Sequence, residues 1–306
     1  MNLSLKIILE TILSFIGIYN LSFIVNILKV PRNVILNEIK KNSLRYYLFF
    51  GRKFFLKKDI YNLKQRIKSD YINYIEFDDL SFKMSFLNYD LSIKGITERI
   101  NGEREPNTVT AIKSLVKNNS KVLVLGACYG YFTNIISKMC GHNGSVVSVE
   151  GLPQNYNILE NNIRLNNLNN VKTYNFFVTN KLIKNNEMRF KKNSTDPYFE
   201  IKKLNSNFLE DIESDYDVVP VIKLSNFLNK INFNPDIIFM DIEGFEVDVL
   251  EDLNENYFHK KKPNIVFEVH HYFYKNNKNL EYLKSILHSA NYNVRLDKDN
   301  LICLQN

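Results

Sequence analysis

An α/β fold, with a mostly parallel sheet flanked by helices and a helical extension at the N-terminus, is what this sequence predicts. Two patterns carry the prediction. Short, almost wholly apolar runs such as Lys121–Leu125 (KVLVL), Ser145–Val149 (SVVSV), Ile237–Met240 (IIFM) and Ile265–Val269 (IVFEV) recur along the chain. Between them lie longer stretches with helical spacing, which is the rhythm of repeated βα units and of strands buried on both faces. The 306 residues, 45% hydrophobic and 13% aromatic, suffice for one α/β domain with a smaller N-terminal piece. The boundary is expected near residue 80, giving an extension over 1–80 and a main domain over 81–306.

The extension begins with an uncharged run from Thr11 to Leu28. At 100° per residue Thr11, Ser22, Asn26 and Lys29 fall on one side of a helix. That clustering suits a helix packed on the domain or lying in an interface; a membrane anchor stays open, although the run is short for a span. No small-residue cleavage site follows it, so a removable secretory signal is not expected. Residues 32–80 read as further helix, with basic residues interleaved among aromatics such as Tyr46, Tyr47, Phe54 and Phe55.

Charge separates the two parts. Residues 1–80 hold 13 Lys/Arg against 7 Asp/Glu, and the remainder holds 27 against 26. The basic excess therefore belongs to the extension, where it fits either a membrane surface or a solvated Lys-rich face. A near-neutral main domain offers no basic track, which argues against nucleic acid as a partner. Cys128, Cys140 and Cys303 show neither CxxC spacing nor an obvious pairing. This suits a reducing, cytoplasmic setting, with or without association to a membrane, and argues against a disulfide framework or a zinc site.

In the main domain, alternation from Asp79 to Ile96 predicts a hairpin. Lys121–Leu125, Ser145–Val149, Val171–Val178, Ile237–Met240 and Ile265–Val269 are expected as strands. Tyr131–Cys140, Asn155–Leu165, Glu246–Leu253 and Leu280–Ala290 are expected as helices. Asn293–Leu296 and Leu301–Leu304 form a candidate antiparallel closing pair. Residues 181–220 break the rhythm and read as a hairpin insertion above the carboxyl edge of the sheet.

Four motifs fall at that edge, where open α/β sheets bind ligands. Gly126 and Gly130, with Ala127 between them, turn the chain from the first apolar strand into a helix and let backbone pass close under a ligand. Their spacing is GxxxG rather than GxGxxG, which tilts against a dinucleotide. Glu150 ends the next strand, 24 residues after Gly126. A carboxylate there can accept from both hydroxyls of a ribose, or be a surface acid at a strand end. Asp241 and Glu243, in Asp-Ile-Glu-Gly, can steady a cation, bind a hydroxylated substrate or act as general base; they can equally cap the following helix, which carries Glu246. Finally, Glu268 and His270 share one side of Glu-Val-His-His, with His271 on the other. His270 is a candidate base or a hydrogen-bonded structural histidine. No spacing requires a metal, and none is predicted.

These motifs, in this order, resemble the FkbM family of methyltransferases over about Gly102 to His271. The resemblance rests on Gly102-Glu103-Arg104-Glu105-Pro106, VLVLGACYGYFT, SVVSVEGLPQN, the Asn161–Asn167 segment NNIRLNN, VPVIKLSNFL, MDIEGFEVDVL and PNIVFEVHH. It implies a class I Rossmann-like fold with a seven-stranded sheet, S-adenosyl-L-methionine as cofactor, and O-methylation of a hydroxyl on a sugar, glycan or related metabolite. In that frame Glu105, Gly126, Ala127, Gly130, Glu150 and Asp241 are the candidate cofactor-binding residues, and Asp241, Glu243 and His270 the candidate catalytic ones. The chain departs from the family at three places. The family usually has Asp where this chain has Val124, Asn where it has Cys128, and often Lys where it has Phe239. An acid at 124 would help hold the cationic end of the cofactor; Glu105 is the candidate to compensate. Two rival functions share parts of the pattern: a nicotinamide-dependent oxidoreductase, and a non-catalytic, membrane-associated binding module.

Overall fold

The computed structural model describes residues 72–77, 80–85, 104–180, 186–192, 216–274, 278–298 and 300–305. The apolar segment at 11–28 and the aromatic and basic stretch after it lie outside these residues. Among the described residues no helix is long and apolar enough to cross a membrane.

The first described element is an antiparallel hairpin of β1 (Ile72–Phe77) and β2 (Leu80–Ser85). It forms one compact unit with Glu105–Asn306. Residues 72–77 are strand where helical spacing was expected, and the hairpin begins earlier than Asp79. The INYIEF run is rich in β-branched and aromatic residues, and its pairing with β2 overrides the helical reading there. Along β2, Phe82 and Met84 are buried and alternate with half-buried Lys83 and Ser85.

The core elements follow as α1 (Pro106–Leu115), β3 (Lys121–Leu125), α2 (Tyr131–Cys140), β4 (Ser145–Glu150), α3 (Pro153–Leu165) and β5 (Val171–Asn175). After an insertion come α4 (Leu224–Lys230), β9 (Ile237–Met240), α5 (Glu246–Asn256), β10 (Asn264–Glu268), α6 (Leu280–Ser289), β11 (Tyr292–Asp297) and β12 (Asn300–Gln305). Pro106 and Pro153 open α1 and α3, where the missing N–H costs nothing. Seven strands make one sheet in the order β11-β12-β10-β9-β3-β4-β5. All pairs are parallel except those of β12, which runs antiparallel to β10 and β11. The closing antiparallel pair is therefore present as expected. The central strands are apolar on both faces because helices cover both: one core joins β3, β9 and β10 to α5 and α6, the other joins them to α1 and α2.

The Val171–Val178 run is not one strand. It breaks at Phe176, which is buried beside the Phe227 ring, and continues as β6 (Phe177–Val178) in a second sheet. That sheet has the order β6-β8-β7, with β7 (Glu187–Lys191) antiparallel to β8 (Tyr216–Ile222). It is the hairpin expected in the 181–220 insertion. Its small core of Leu152, Phe177, Met188, Phe190 and Val219 packs against Phe245, so the insertion rests on the sheet's carboxyl edge.

Strand order reverses between β3, followed outward by β4 and β5, and β9, followed outward by β10. The crevice at this switch point lies beyond the carboxyl ends of β3 and β9.

Candidate functional site

The glycine turn after β3 is held from both sides. The Gly126 and Ala127 N–H groups donate to the Val149 carbonyl, both at 3.0 Å, and the Asp241 N–H donates to the Leu125 carbonyl at 3.0 Å. Gly126 has φ +77°, and a Cβ there would overlap the Asp241 carbonyl oxygen. Glycine is thus demanded by the approach of the β9 loop to the β3 turn. Gly130, with φ +90°, lets α2 begin against Leu159 of α3. Cys128 takes φ +51°, a left-handed conformation that suits the Asn usual in the resembling family better than Cys.

Glu150, at the end of β4, is 5% exposed. One carboxylate oxygen accepts the Cys128 N–H at 2.7 Å and the other the Leu152 N–H at 2.8 Å. Burial pushes its pKa up to about 7, against the lowering effect of the Leu152, Cys128 and Gly151 N–H groups. Each oxygen keeps a further acceptor position, so a vicinal diol offering two hydroxyl hydrogens suits this donor-poor carboxylate.

The remaining candidates converge. His270 follows β10 and enters a short 3₁₀ turn at His271–Phe273. Its Nε2 lies 3.5 Å from Asp241 Oδ1 and 3.6 Å from Glu243 Oε2. Its Nδ1 lies 2.8 Å from Glu246 Oε1. Carboxylate oxygens of Glu105, Asp241 and Glu268 lie within 4.8 Å of one another, as do the ligand atoms of Asp241, Glu243 and His270. A small cation could bridge such spacings, but the imidazole already supplies a positive group there, and no metal is assigned.

The electrostatics follow from crowding. Burial first, then the charges of Glu105, Glu268 and Glu243, hold the Asp241 carboxyl well above the ordinary carboxylate range, with His270 opposing them. For His270 burial favours the neutral ring, but the Glu246 hydrogen bond and the charges of Glu246, Asp241 and Glu243 outweigh it and raise its pKa to about 9. At neutral pH the ring is therefore an imidazolium.

Sequence reasoning placed Glu105, Asp241, Glu243 and His270 in one cleft, and they are together. It placed Glu150 at the glycine turn, on the β4 side, and it is there. It missed what Glu246 and Tyr274 do. Glu246 is fully buried; its Oε1 accepts the Ile242 and Gly244 N–H groups, each at 3.3 Å, besides facing His270. Neither Asp241 nor Glu243 caps α5, which has no side-chain cap; Glu246 instead fastens the loop that precedes it. Tyr274 Oη accepts the His270 N–H at 3.1 Å and donates to Glu246 Oε2 at 3.2 Å. The available signal was a second acid three residues after Glu243, at the start of an otherwise apolar helix face.

Val124 and Phe239, where the resembling family has charge, are both fully buried. They are partners in the parallel register of β3 and β9 and belong to one apolar cluster, with the Phe132 ring 5.0 Å from that of Phe239.

Several solved structures are similar in fold. A methyltransferase FkbM from Methylobacillus flagellatus KT is 18% identical over 60% of this chain and 43% of its own, with a TM-score of 0.40. An O-methyltransferase from Bacillus cereus, solved in complex with SAH, is 14% identical over 65% of this chain and 80% of its own, with a TM-score of 0.40. A fibrillarin from Aeropyrum pernix, with natively bound S-adenosyl-L-methionine, is 10% identical over 78% and 85%, again at 0.40. No curated protein matches the sequence. The model of the methyltransferase FkbM domain matches residues 125–294, more than half of the chain and all of the edge from the glycine turn through His270, and by that match the chain belongs to the FkbM methyltransferase family.

Proposed function

We propose that this methyltransferase uses S-adenosyl-L-methionine to methylate a hydroxyl group, on a sugar, glycan or related metabolite. The observation that carries the reading is the cluster of Asp241, Glu243 and His270 beside the glycine turn. It combines an acid-rich wall, suited to a cationic cofactor, with groups that can take a proton from an alcohol.

When bound, the cofactor supplies an activated methyl group on a sulfonium; the protein aligns, shields and manages the proton. Glu150 would hold the ribose hydroxyls. Glu105, Asp241 and Glu268 would face the cationic end, the task left open by Val124. An acceptor hydroxyl is a weak nucleophile at neutral pH, so a carboxylate within hydrogen-bond reach assists by accepting its proton as the new C–O bond forms. Asp241 and Glu243 are the proton acceptors in this reading. A carboxylate whose pKa is raised, as that of Asp241 is, accepts a proton more readily than an ordinary one once it is ionised. His270, kept protonated, places a positive charge beside both carboxylates. The β6-β8-β7 insertion, packed on Phe245 beside Glu243, is where acceptor choice would be exercised.

The test is transfer of labelled methyl from S-adenosyl-L-methionine into fractionated extract, with glycan and lipid fractions kept apart. Once an acceptor is in hand, Asp241→Asn and Glu243→Gln should each lower turnover by about 10²-fold or more, the range for a lost general base. Cofactor affinity should change far less, above all for Glu243→Gln. Full turnover in both variants would rule out the base assignment. Thermal shifts with this cofactor, its demethylated product and NAD separate the reading from an oxidoreductase, and tight product binding without transfer to any fraction would mark a binding module.

A further inference from the structure

We infer that Glu246 is the positioning residue of this site: its buried carboxylate locks the His270 ring to the Asp241–Glu243 loop, so that both halves of the cleft move as one piece. The inference rests on the methyl-transfer reading of this edge.

The geometry is specific. Glu246 is the first residue of α5 and is fully buried. From there its carboxylate gathers two separate stretches of chain, the loop after β9 and the turn after β10. It accepts the N–H groups of Ile242 and Gly244, which hold the turn between Asp241 and Glu243. It faces Nδ1 of His270, beyond β10. It accepts the Tyr274 hydroxyl, and Tyr274 in turn accepts the His270 N–H. Distances decide which carboxylate orients the ring. At 2.8 Å the Glu246 contact is a charge-assisted hydrogen bond. Asp241 and Glu243, at 3.5 and 3.6 Å, are beyond good hydrogen-bond length. Glu246 therefore fixes which way the ring turns, and leaves Nε2 presented to the two candidate proton acceptors. Gly244 is part of the same construction: at φ +99° it lets the loop close against Phe273, whose ring centroid lies 6.1 Å from that of His270.

A purely structural clasp of this loop would need only an acceptor for its two N–H groups, which a glutamine supplies. Holding the ring cationic needs the charge. The groups facing His270 are Glu246 from α5, Asp241 and Glu243 from the loop after β9, and Tyr274 after the 3₁₀ turn; Glu268, on the ring's own strand, faces Asp241. Of these, Glu246 is the one in direct contact with the ring nitrogen.

Glu246→Gln separates the two roles. The readout is NMR titration of the histidine rings in the full chain without cofactor, with His270→Gln used to assign the signal. The wild-type midpoint is expected near 9. In Glu246→Gln it should fall by at least about one pH unit, and Glu246→Asp, with the charge kept but the reach shortened, should lie between. Once an acceptor is known, turnover of Glu246→Gln should drop at least about tenfold, with the basic limb of its pH profile moved down by the same interval and cofactor affinity nearly unchanged. A folded Glu246→Gln whose His270 midpoint stays at the wild-type value overturns the inference. Should that variant not fold, an unmoved midpoint in Glu246→Asp overturns it equally. The titration needs neither cofactor nor acceptor. A moved midpoint in a protein that methylates no hydroxyl would therefore sink the methyl-transfer reading alone, and an unmoved midpoint in an active enzyme would sink this one alone.

Discussion

In its proposed role as the ribose partner, buried Glu150 would tie binding to pH. Its backbone N–H partners do not offset the loss of water, so the folded chain holds its proton up to about pH 7. Hydroxyl donors of a ribose favour the carboxylate form, so binding them competes with that proton. Cofactor affinity should weaken about tenfold between pH 8 and pH 6, and Glu150→Gln should bind more weakly at pH 8 but lose this dependence; isothermal titration at several pH values checks both. Stability runs the other way. The folded state binds the proton more tightly than the unfolded one, whose carboxyl titrates near the ordinary value of 4.5. The contribution of Glu150 to stability is therefore full below that value and declines as pH rises to about 7.

At the scale of elements, two departures from the resembling family turn out to be one. Val124 of β3 and Phe239 of β9 are register partners in the same apolar cluster, so an Asp and a Lys at these positions would sit side by side on neighbouring strands. Here that position is filled by a packed apolar pair. Val124 thus leaves no defect in the sheet, and Glu105 with Glu268 supplies carboxylates beside Asp241. Restoring the acid alone should be costly: Val124→Asp buries a charge against Phe239 and should lose about 3 kcal/mol or more in urea unfolding. Val124→Asp with Phe239→Lys should recover part of that, with a coupling of about 1–3 kcal/mol in the double-mutant cycle. Strict additivity would show that the two strands do not share this site.

Across the whole molecule, what was legible in the sequence is what depends on periodicity and on chain order. β3, α2 and β9 begin and end where their apolar patterns do, because strands buried on both faces leave little choice of register. The convergence of Asp241, Glu243 and His270 was legible because parallel βα units bring consecutive strand ends to one edge. Contacts made by reach were not legible. Nothing in the spacing of Glu246 and His270, 24 residues apart, announces a hydrogen bond across two elements. The split at Phe176 was hidden for the same reason: its partner, Phe227, lies far along the chain.

Such long-range reach also explains the NNIRLNN segment. Asn162 of α3 and Asn166, which caps its C-terminus, are about one helical turn apart, about 6 Å along the axis and close to the two-residue repeat of a strand. Each uses its side-chain amide as a strand would use its backbone. Asn162 takes the Ser85 N–H at 2.7 Å and gives to the Ser85 carbonyl at 3.0 Å; Asn166 does the same to Lys83, at 2.8 and 2.7 Å. The edge of β2 is thereby closed to other strands. Because the helix grips peptide groups, this attachment is blind to which amino acids β2 carries at 83 and 85. Substitution at those two positions should therefore spare the attachment, and substitution of the asparagines should not. Hydrogen exchange makes the asymmetry visible: substitution of Lys83 by any residue but proline should leave the amides of residues 83 and 85 protected, whereas Asn162→Ala should expose that of Ser85.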